Sequence, residues 1–221
     1  MKSDEEIAQF NRSKIYEVLD YQAEPSNYKS NVPWTVQQQI AATNGRHYID
    51  RIGKLVDYPI YNLPLSKVTG DKLMLDIGCG WGRWLVAGVN KGYIPIGIDI
   101  RLEFCRTSRR VVGDLKKQAY SVVADLENIP FKDNIFDLVW SFSVIQHTHI
   151  KRLRGCLSHI NRMLTADGFT YLEFPNKKGI RNSRGPVKSS KNSDDFNSWN
   201  VRYYSPAEYE KIFNEFLTGT H

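Results

Sequence analysis

The sequence of 221 residues predicts an α/β protein, with a doubly wound, mainly parallel sheet covered by helices on both faces. Three observations carry that expectation. From Lys72 onward, short apolar runs (KLMLDIG, IPIGIDI, YSVVADL, FDLVWSFSV, FTYLEF) alternate with helical patterns. The first run leads into a turn where glycine recurs at Gly78, Gly80 and Gly82. Acidic residues, Asp76 and Asp99, stand near the ends of the first two runs, where the ligand crevice of such a sheet opens.

Residues 4–20 read as a helix, because Asp4, Glu5 and Glu6 crowd the first turn and Ile7, Phe10, Ile15, Val18 and Leu19 form an apolar stripe. A polar linker follows. A second helical pattern runs from Thr35 to Val56, weakened at Gly45. Residues 1–68 are thus a helical appendage ahead of the main unit, residues 69–221. In that unit, helices are expected over about Arg83–Lys91, about Leu102–Gln118 and around Leu153–Leu164, before a turn TADG and the fifth strand. The last helix is the best signalled: Ser205 caps it, Pro206 suits its first position, Glu208 completes a capping box, and Tyr209, Ile212, Phe213 and Phe216 share a face.

Composition excludes the disordered and fibrous classes: 41% of residues are hydrophobic, 12% aromatic and 24% charged. No stretch reaches the length of a membrane span, and the start, MKSDEEIAQF, is acidic where a signal peptide would be basic, so a cytoplasmic protein is expected. Cys79, Cys105 and Cys156 are odd in number and lack zinc spacing, which fits buried reduced thiols and no metal. The net charge of +6 is concentrated: between 176 and 204 seven basic residues face only Asp194 and Asp195. That loop is either a solvated face or an attractor for an anionic partner.

Glycine lets a backbone turn sharply and approach a ligand closely, and the helix that follows offers unpaired N–H groups. Close strand–helix packing selects glycine too. Asp99, 17 residues after Gly82, suits both hydroxyls of a ribose. Nicotinamide-dependent oxidoreductases and S-adenosylmethionine-dependent methyltransferases both fit this far. The glycines fall at G-x-G-x-G rather than G-x-G-x-x-G, leaving less room for a pyrophosphate.

The ordered motifs DIGCGWG (76–82), GIDI (97–100), ADL (124–126), IPF (129–131) and FDLVWSFSVIQH (136–147) resemble those of class I S-adenosylmethionine-dependent methyltransferases, over roughly Lys72–Phe174. The resemblance implies a Rossmann-like fold, S-adenosylmethionine as cofactor and S-adenosylhomocysteine as product. It also implies roles. Asp76 would orient the methionine end, Gly78, Cys79 and Gly80 would lend backbone, Asp99 would hold the ribose and Ile100 would pack on adenine. Asp125 would accept from the adenine amine beside the Leu126 backbone, and Ser141 would bring its carbonyl to the ammonium. From the residues themselves, Arg83 could pair with the cofactor carboxylate or simply face solvent. His147, after the fourth strand, is the candidate general base; His149 is a weaker one, and either could cap the next helix.

In that family the substrate side is built by the N-terminal appendage and the segment after the fifth strand. Here these supply Trp34, Tyr48 and Arg51, then Trp199, Arg202 and Tyr203. The fourth strand continues as SFSV rather than the Asn/Asp-Pro-Pro-Tyr/Phe signature of enzymes that methylate exocyclic base nitrogens, and no stacking platform for nucleic acid is evident. A small-molecule or glycan-like acceptor, methylated on O or N, is therefore expected; a non-catalytic or partner-dependent subunit is the alternative. The sequence stops after the fifth crossover helix, so strands six and seven of the family sheet are expected to be missing, leaving an edge for an oligomer or partner to cover.

Overall fold

The computed structural model describes residues 24–44, 48, 50–175 and 204–216. The helix expected over 4–20 and most of the basic 176–204 loop, including Trp199, Arg202 and Tyr203, lie outside the described residues. Five strands form one wholly parallel sheet: β1 (Leu73–Ile77), β2 (Ile94–Asp99), β3 (Tyr120–Val123), β4 (Phe136–Ser141) and β5 (Leu164–Leu172). Their order is β3-β2-β1-β4-β5. The chain runs outward from β1 through β2 to β3, then returns to β4 on the other side of β1, so strand order reverses between β1 and β4. That reversal opens a crevice at the carboxyl ends of those two strands.

Alternation along β1 assigns its two faces. Leu75 and Ile77 join Ile98 and Val139 in a core closed by Leu153, Cys156, Leu157 and Ile160 of the helix α4 (Ile150–Met163) and by Ile212 of α5 (Pro206–Phe216). Met74 joins Leu138 and Trp140 on the opposite face, under Trp84 and Ala87 of α2 (Arg83–Asn90). The helix α3 (Leu102–Asp114) buries Phe104, Cys105, Ser108, Val111 and Val112, an i, i+4, i+7 stripe. Fully burying one such aliphatic side chain stabilises the fold by roughly 1.5–3 kcal/mol. The sheet is thus sandwiched, as the alternating pattern predicts.

The described part of the appendage is no separate body. Its helix α1 (Trp34–Asn44) buries Val36, Ile40 and Ala41 in one cluster with Trp81, Leu85, Val86, Val111 and Val112, so it packs on the glycine turn and the two helices beside it. Gln37, 1% exposed, ties this region together by accepting from the N–H groups of Gly53 and Leu55 and donating to carbonyls of Val32 and Leu55. The helical pattern expected from Thr35 to Val56 does not run to its end as helix: α1 stops at Asn44, next to Gly45, Tyr48 is again helical, and residues 50–54 form turns.

Two further expectations need correction. The sequence TADG is not a turn before β5 but part of it: Phe136 pairs with Leu164 and Leu138 with Phe169, so β5 absorbs extra residues as an irregularity. Gly168 is required there, because a Cβ would lie 2.7 Å from the Phe136 carbonyl oxygen. The helix expected to reach Gln118 stops at Asp114, with Lys116 in the left-handed region at φ 53°. The capping box of α5 forms as expected: the Ser205 N–H donates to Glu208 Oε2 at 2.8 Å, and the Glu208 N–H points back at Ser205 Oγ at 3.4 Å.

Candidate active site

The glycine turn leaves β1 into α2 with three left-handed residues, Gly78 (φ 73°), Gly80 (φ 51°) and Gly82 (φ 94°). They are needed for different reasons. A Cβ on Gly78 would meet Val144 at 2.3 Å, and one on Gly82 would meet Ser108 at 2.9 Å, so both serve close packing. A Cβ on Gly80 would meet nothing nearer than Thr43 of α1, at 3.9 Å. Gly80 is where the turn leaves open room.

Four N–H groups of the turn are spent inside the protein. Those of Gly78 and Cys79 donate to the Ile98 carbonyl at 2.8 and 2.9 Å, that of Gly82 to Cys79, and that of Gly80 to Asp99 Oδ2 at 3.0 Å. These four groups are therefore not left as donors for a pyrophosphate, which counts against the dinucleotide alternative. What the backbone of Gly78, Cys79 and Gly80 can lend a ligand is carbonyl oxygens and shape. All three cysteines are free and buried, Cys79 within the apolar cluster under the turn.

Asp76 is the decisive side chain. It lies on the Met74 face of β1, 1% exposed, and neither carboxylate oxygen has a hydrogen-bond partner. Its strand neighbour in β2 is Gly97, and the space a Cβ would take there is already filled by Cys79 and Leu85. Burial raises its pKa to about 8, with Arg83 drawing it down and Asp99 pushing it up. Near neutral pH an unpaired carboxyl group here holds its proton. A buried polar group without a partner costs about 1–3 kcal/mol, more when charged, and native structures keep such a group chiefly where function uses it.

Asp99, at the end of β2, is the opposite case. Its Oδ2 accepts from Gly80 and its Oδ1 from the Arg101 N–H, both at 3.0 Å, and burial raises its pKa against the pull of those bonds. Each oxygen keeps a second acceptor site. Ile100, next in sequence, is 63% exposed, an apolar side chain with no cover at the mouth of the crevice. Asp125, just past β3, bonds through both oxygens to Arg152 of α4 and accepts the Glu127 N–H at 3.0 Å; Leu126 lies half-buried beside it.

Arg83, first residue of α2, inserts among aromatic rings: its Cζ lies 5.4 Å from the Tyr61 ring centre and 5.1 Å from those of Trp84 and Phe142. Burial lowers its pKa, against the fields of Asp76, Tyr61, Tyr48 and Glu173. Those four residues mark the wall on which it sits. The hydroxyls of Tyr48 and Tyr61 share a hydrogen bond at 2.6 Å, and burial with that bond pushes Tyr48 up to about 12. The solvent-facing alternative for Arg83 is thereby overturned.

The Ser141 carbonyl, at the end of β4, accepts the Glu173 N–H at 2.9 Å and keeps a second acceptor site, while its hydroxyl donates to Ile77. Trp34 departs from its expected role: 8% exposed, it packs edge-on against Tyr28 at 5.3 Å and over Gly53, an anchor of the appendage rather than a substrate contact. Arg51 is exposed, with its guanidinium 5.9 Å from the Tyr48 ring. His147 ends a short 3₁₀ turn after β4, its Nε2 3.3 Å from Gln146 Nε2, while His149 caps α4 by accepting from the Lys151 N–H at 3.3 Å. Sequence reasoning missed Glu173. Its Oε2 accepts from both the N–H and the hydroxyl of Ser143 at 2.9 Å, and Ser143 is itself held at φ 58° past the end of β4. An exposed-looking FTYLEFP run gives no hint that its glutamate is pinned at the crevice; the strand position alone could have raised it. Among the described residues no cluster of three or more His, Cys, Asp or Glu side chains could hold a metal, and no helix is long and apolar enough to cross a membrane.

A parallel sheet in this order, with an acidic residue on β1, a glycine turn and a second acidic residue ending β2, is the class I methyltransferase fold. Residues 75–172 match the family described as "Methyltransferase domain". Two uncharacterized proteins of Methanocaldococcus jannaschii are similar to the chain: one is 29% identical over 65% of this chain and 51% of that protein, the other 30% identical over 61% and 56%. The chain thus spans about half the length of these curated relatives. A more distant relative, sphingolipid C9-methyltransferase 2 of Gibberella zeae, is 29% identical over 49% of this chain and 21% of that one. A crystal structure of an S-adenosylmethionine-dependent methyltransferase of Methanosarcina mazei superposes with a TM-score of 0.55 at 20% identity, covering 67% of this chain and 80% of that one, a likeness of fold.

Proposed function

We propose that this protein binds S-adenosylmethionine across the β1–β4 crevice and transfers its methyl group to an O or N atom of a small-molecule or glycan-like acceptor. The observation that carries the reading is Asp76: a buried carboxyl group with two unpartnered oxygens, beside the open space at Gly80. The group fits the residues present. An ammonium would satisfy Asp76, ribose hydroxyls the free acceptor sites of Asp99, a flat apolar ring the exposed Ile100, and a carboxylate the unpaired guanidinium of Arg83. Asp125 would accept from the adenine amine.

Bound S-adenosylmethionine supplies an electrophilic methyl carbon on a sulfonium. The chain's own part is alignment and exclusion of water, with proximity carrying much of the rate. His147 stands after β4 and Glu173 at the end of β5, the two groups suited to take a proton from an acceptor hydroxyl or amine. Tyr48 and Arg51, with Trp199, Arg202 and Tyr203, are proposed to line the acceptor side. A carbon acceptor is the competing chemistry, since one relative carries the name of a C9-methyltransferase.

A partner-dependent subunit is a second reading, favoured by one observation: Phe169 and Tyr171 on β5 are 44% and 40% exposed, and among the described residues β5 pairs only with β4. Calorimetric titration with S-adenosylhomocysteine, with NADH as control and Asp99→Ala beside it, tests the first reading. Micromolar binding of S-adenosylhomocysteine alone is expected. Asp99→Ala should weaken it by about 1–3 kcal/mol, the cost of removing a charged acceptor; a change below about fivefold would remove Asp99 as the ribose anchor. No binding by the folded chain would move the weight to the partner-dependent reading.

A further inference from the structure

The Asp125–Arg152 pair has a place in the fold that a surface ion pair does not need. The register Asp99↔Val123 sets the ends of β2 and β3 side by side, and the Ala124 N–H donates to the Asp99 carbonyl at 3.1 Å. Asp125 therefore leaves the sheet next to Asp99 and the exposed Ile100. Its carboxylate is fixed from two directions, by the Glu127 N–H in the turn and by Arg152 from the first turn of α4. Arg152 is held in turn: its Nε donates to Glu127 Oε2 at 2.9 Å, and His159 Nε2 lies 3.0 Å from the Glu127 carbonyl. The two partners are about as buried as each other, with side chains 32% exposed for Asp125 and 21% for Arg152.

We propose that Arg152 is a positioning residue for purine selection, fixing Asp125 as an acceptor-only carboxylate against the 6-position of the cofactor's base. The inference rests on the cofactor reading above. A carboxylate that has lost its proton can only accept, so it rewards the exocyclic amine of adenine and penalises the 6-oxygen of hypoxanthine. A carboxylate free to rotate would hold no fixed acceptor against the 6-position and would discriminate less between the two bases. Burial pushes Asp125 up, but the Glu127 N–H and Arg152 outweigh it and hold the group below its usual range. Arg152 reaches Asp125 through Nη2 alone; Oδ1 accepts from both that group and the Glu127 N–H, so Oδ2 is the oxygen that keeps acceptor capacity for a ligand. The same arginine sits three residues past the His149 cap, which ties the base end of the crevice to the segment bearing His147.

The test is a ratio of affinities measured by calorimetry for S-adenosylhomocysteine and S-inosylhomocysteine. The unmodified chain should prefer the adenine ligand by about 10- to 100-fold, the worth of one charge-assisted hydrogen bond. Arg152→Gln should bring the ratio below about threefold, mostly by weakening the adenine ligand, and Arg152→Lys should restore part of it. Asp125→Asn, whose amide can donate as well as accept, should also erase the preference. A purely structural role for Arg152 would weaken both ligands together and leave the ratio intact, which overturns the proposal. So would an unmodified chain that binds both ligands equally; the cofactor reading would survive that result. If Arg152→Gln does not fold, Arg152→Lys carries the test: an unreduced ratio there with Asp125→Asn also unchanged overturns it. An unmodified chain that binds neither ligand defeats the cofactor reading itself, and this proposal with it.

Discussion

The two ends of the crevice treat carboxylates in opposite ways. At the base and ribose end, Asp125 and Asp99 are satisfied by the protein itself, through Arg152 and the N–H groups of Glu127, Gly80 and Arg101. At the other end, Asp76 is more deeply buried and has no hydrogen-bond partner among the described residues. The satisfied pair can be read as ordinary turn structure with or without a ligand. The orphaned one cannot, because folding gains nothing from it, and it is the side chain that most directly implies a guest.

The sharpest way to break that contrast is Asp76→Asn. Removing the charge should weaken S-adenosylhomocysteine by more than about 100-fold, since an amide cannot match an ion pair in a site this dry. The same substitution should raise the thermal midpoint of the free chain at pH 8, because a buried amide needs no proton there, whereas Asp76 must take one up or carry a buried charge. Loss of binding with a gain of stability is the expected signature in calorimetry and thermal melts. A variant that is less stable and binds normally would make Asp76 a structural residue.

The pH dependence of the unmodified chain sharpens the same point. With Asp76 raised to about 8, the folded state binds a proton that the unfolded state releases from about pH 4 upward. Its contribution to stability is therefore largest at low pH and is lost as pH climbs toward 8. Ligand binding has the reverse slope: pairing with an ammonium requires the proton to leave, so affinity should rise by up to about tenfold per unit from pH 6 toward 8 and then level off. Titrations in buffers of different ionisation enthalpy should register nearly one proton released at pH 7. A flat profile with no proton release would mean that Asp76 is already ionised in the free chain.

How far this was legible beforehand follows from the same physics. The alternation of strands with helices, the alternation of faces and the capping box of α5 are local or periodic, so the pattern of residues carried them. Asp76 and Asp99 were visible because they end strands beside a glycine turn. Whether each glycine serves packing or ligand was not visible, since that depends on Val144 and Ser108, far away in sequence. The same holds for Glu173, whose partner Ser143 lies on a neighbouring strand end, and for Arg152, which is 27 residues from Asp125 in sequence with β4 between them. Trp34 failed as a substrate residue for a related reason: an aromatic in an appendage looks alike whether it caps a pocket or a core.

The smallest expected effect falls on Arg83, which sits between the two regimes. It has no ion pair among the described residues, yet three aromatic rings already stabilise its charge, each such contact being worth about 0.5–2 kcal/mol. Its gain on meeting a ligand carboxylate is correspondingly partial. Arg83→Met keeps the packing stem and removes the charge. It should weaken S-adenosylhomocysteine by about tenfold while leaving the decarboxylated analogue, which keeps the amine and the adenosine, within about threefold. An equal loss for both ligands would mean that Arg83 acts by holding the Tyr61, Trp84 and Phe142 rings in place. A loss confined to the carboxylate ligand would assign the methionine end of the crevice in full, with Asp76 at the amine and Arg83 at the acid.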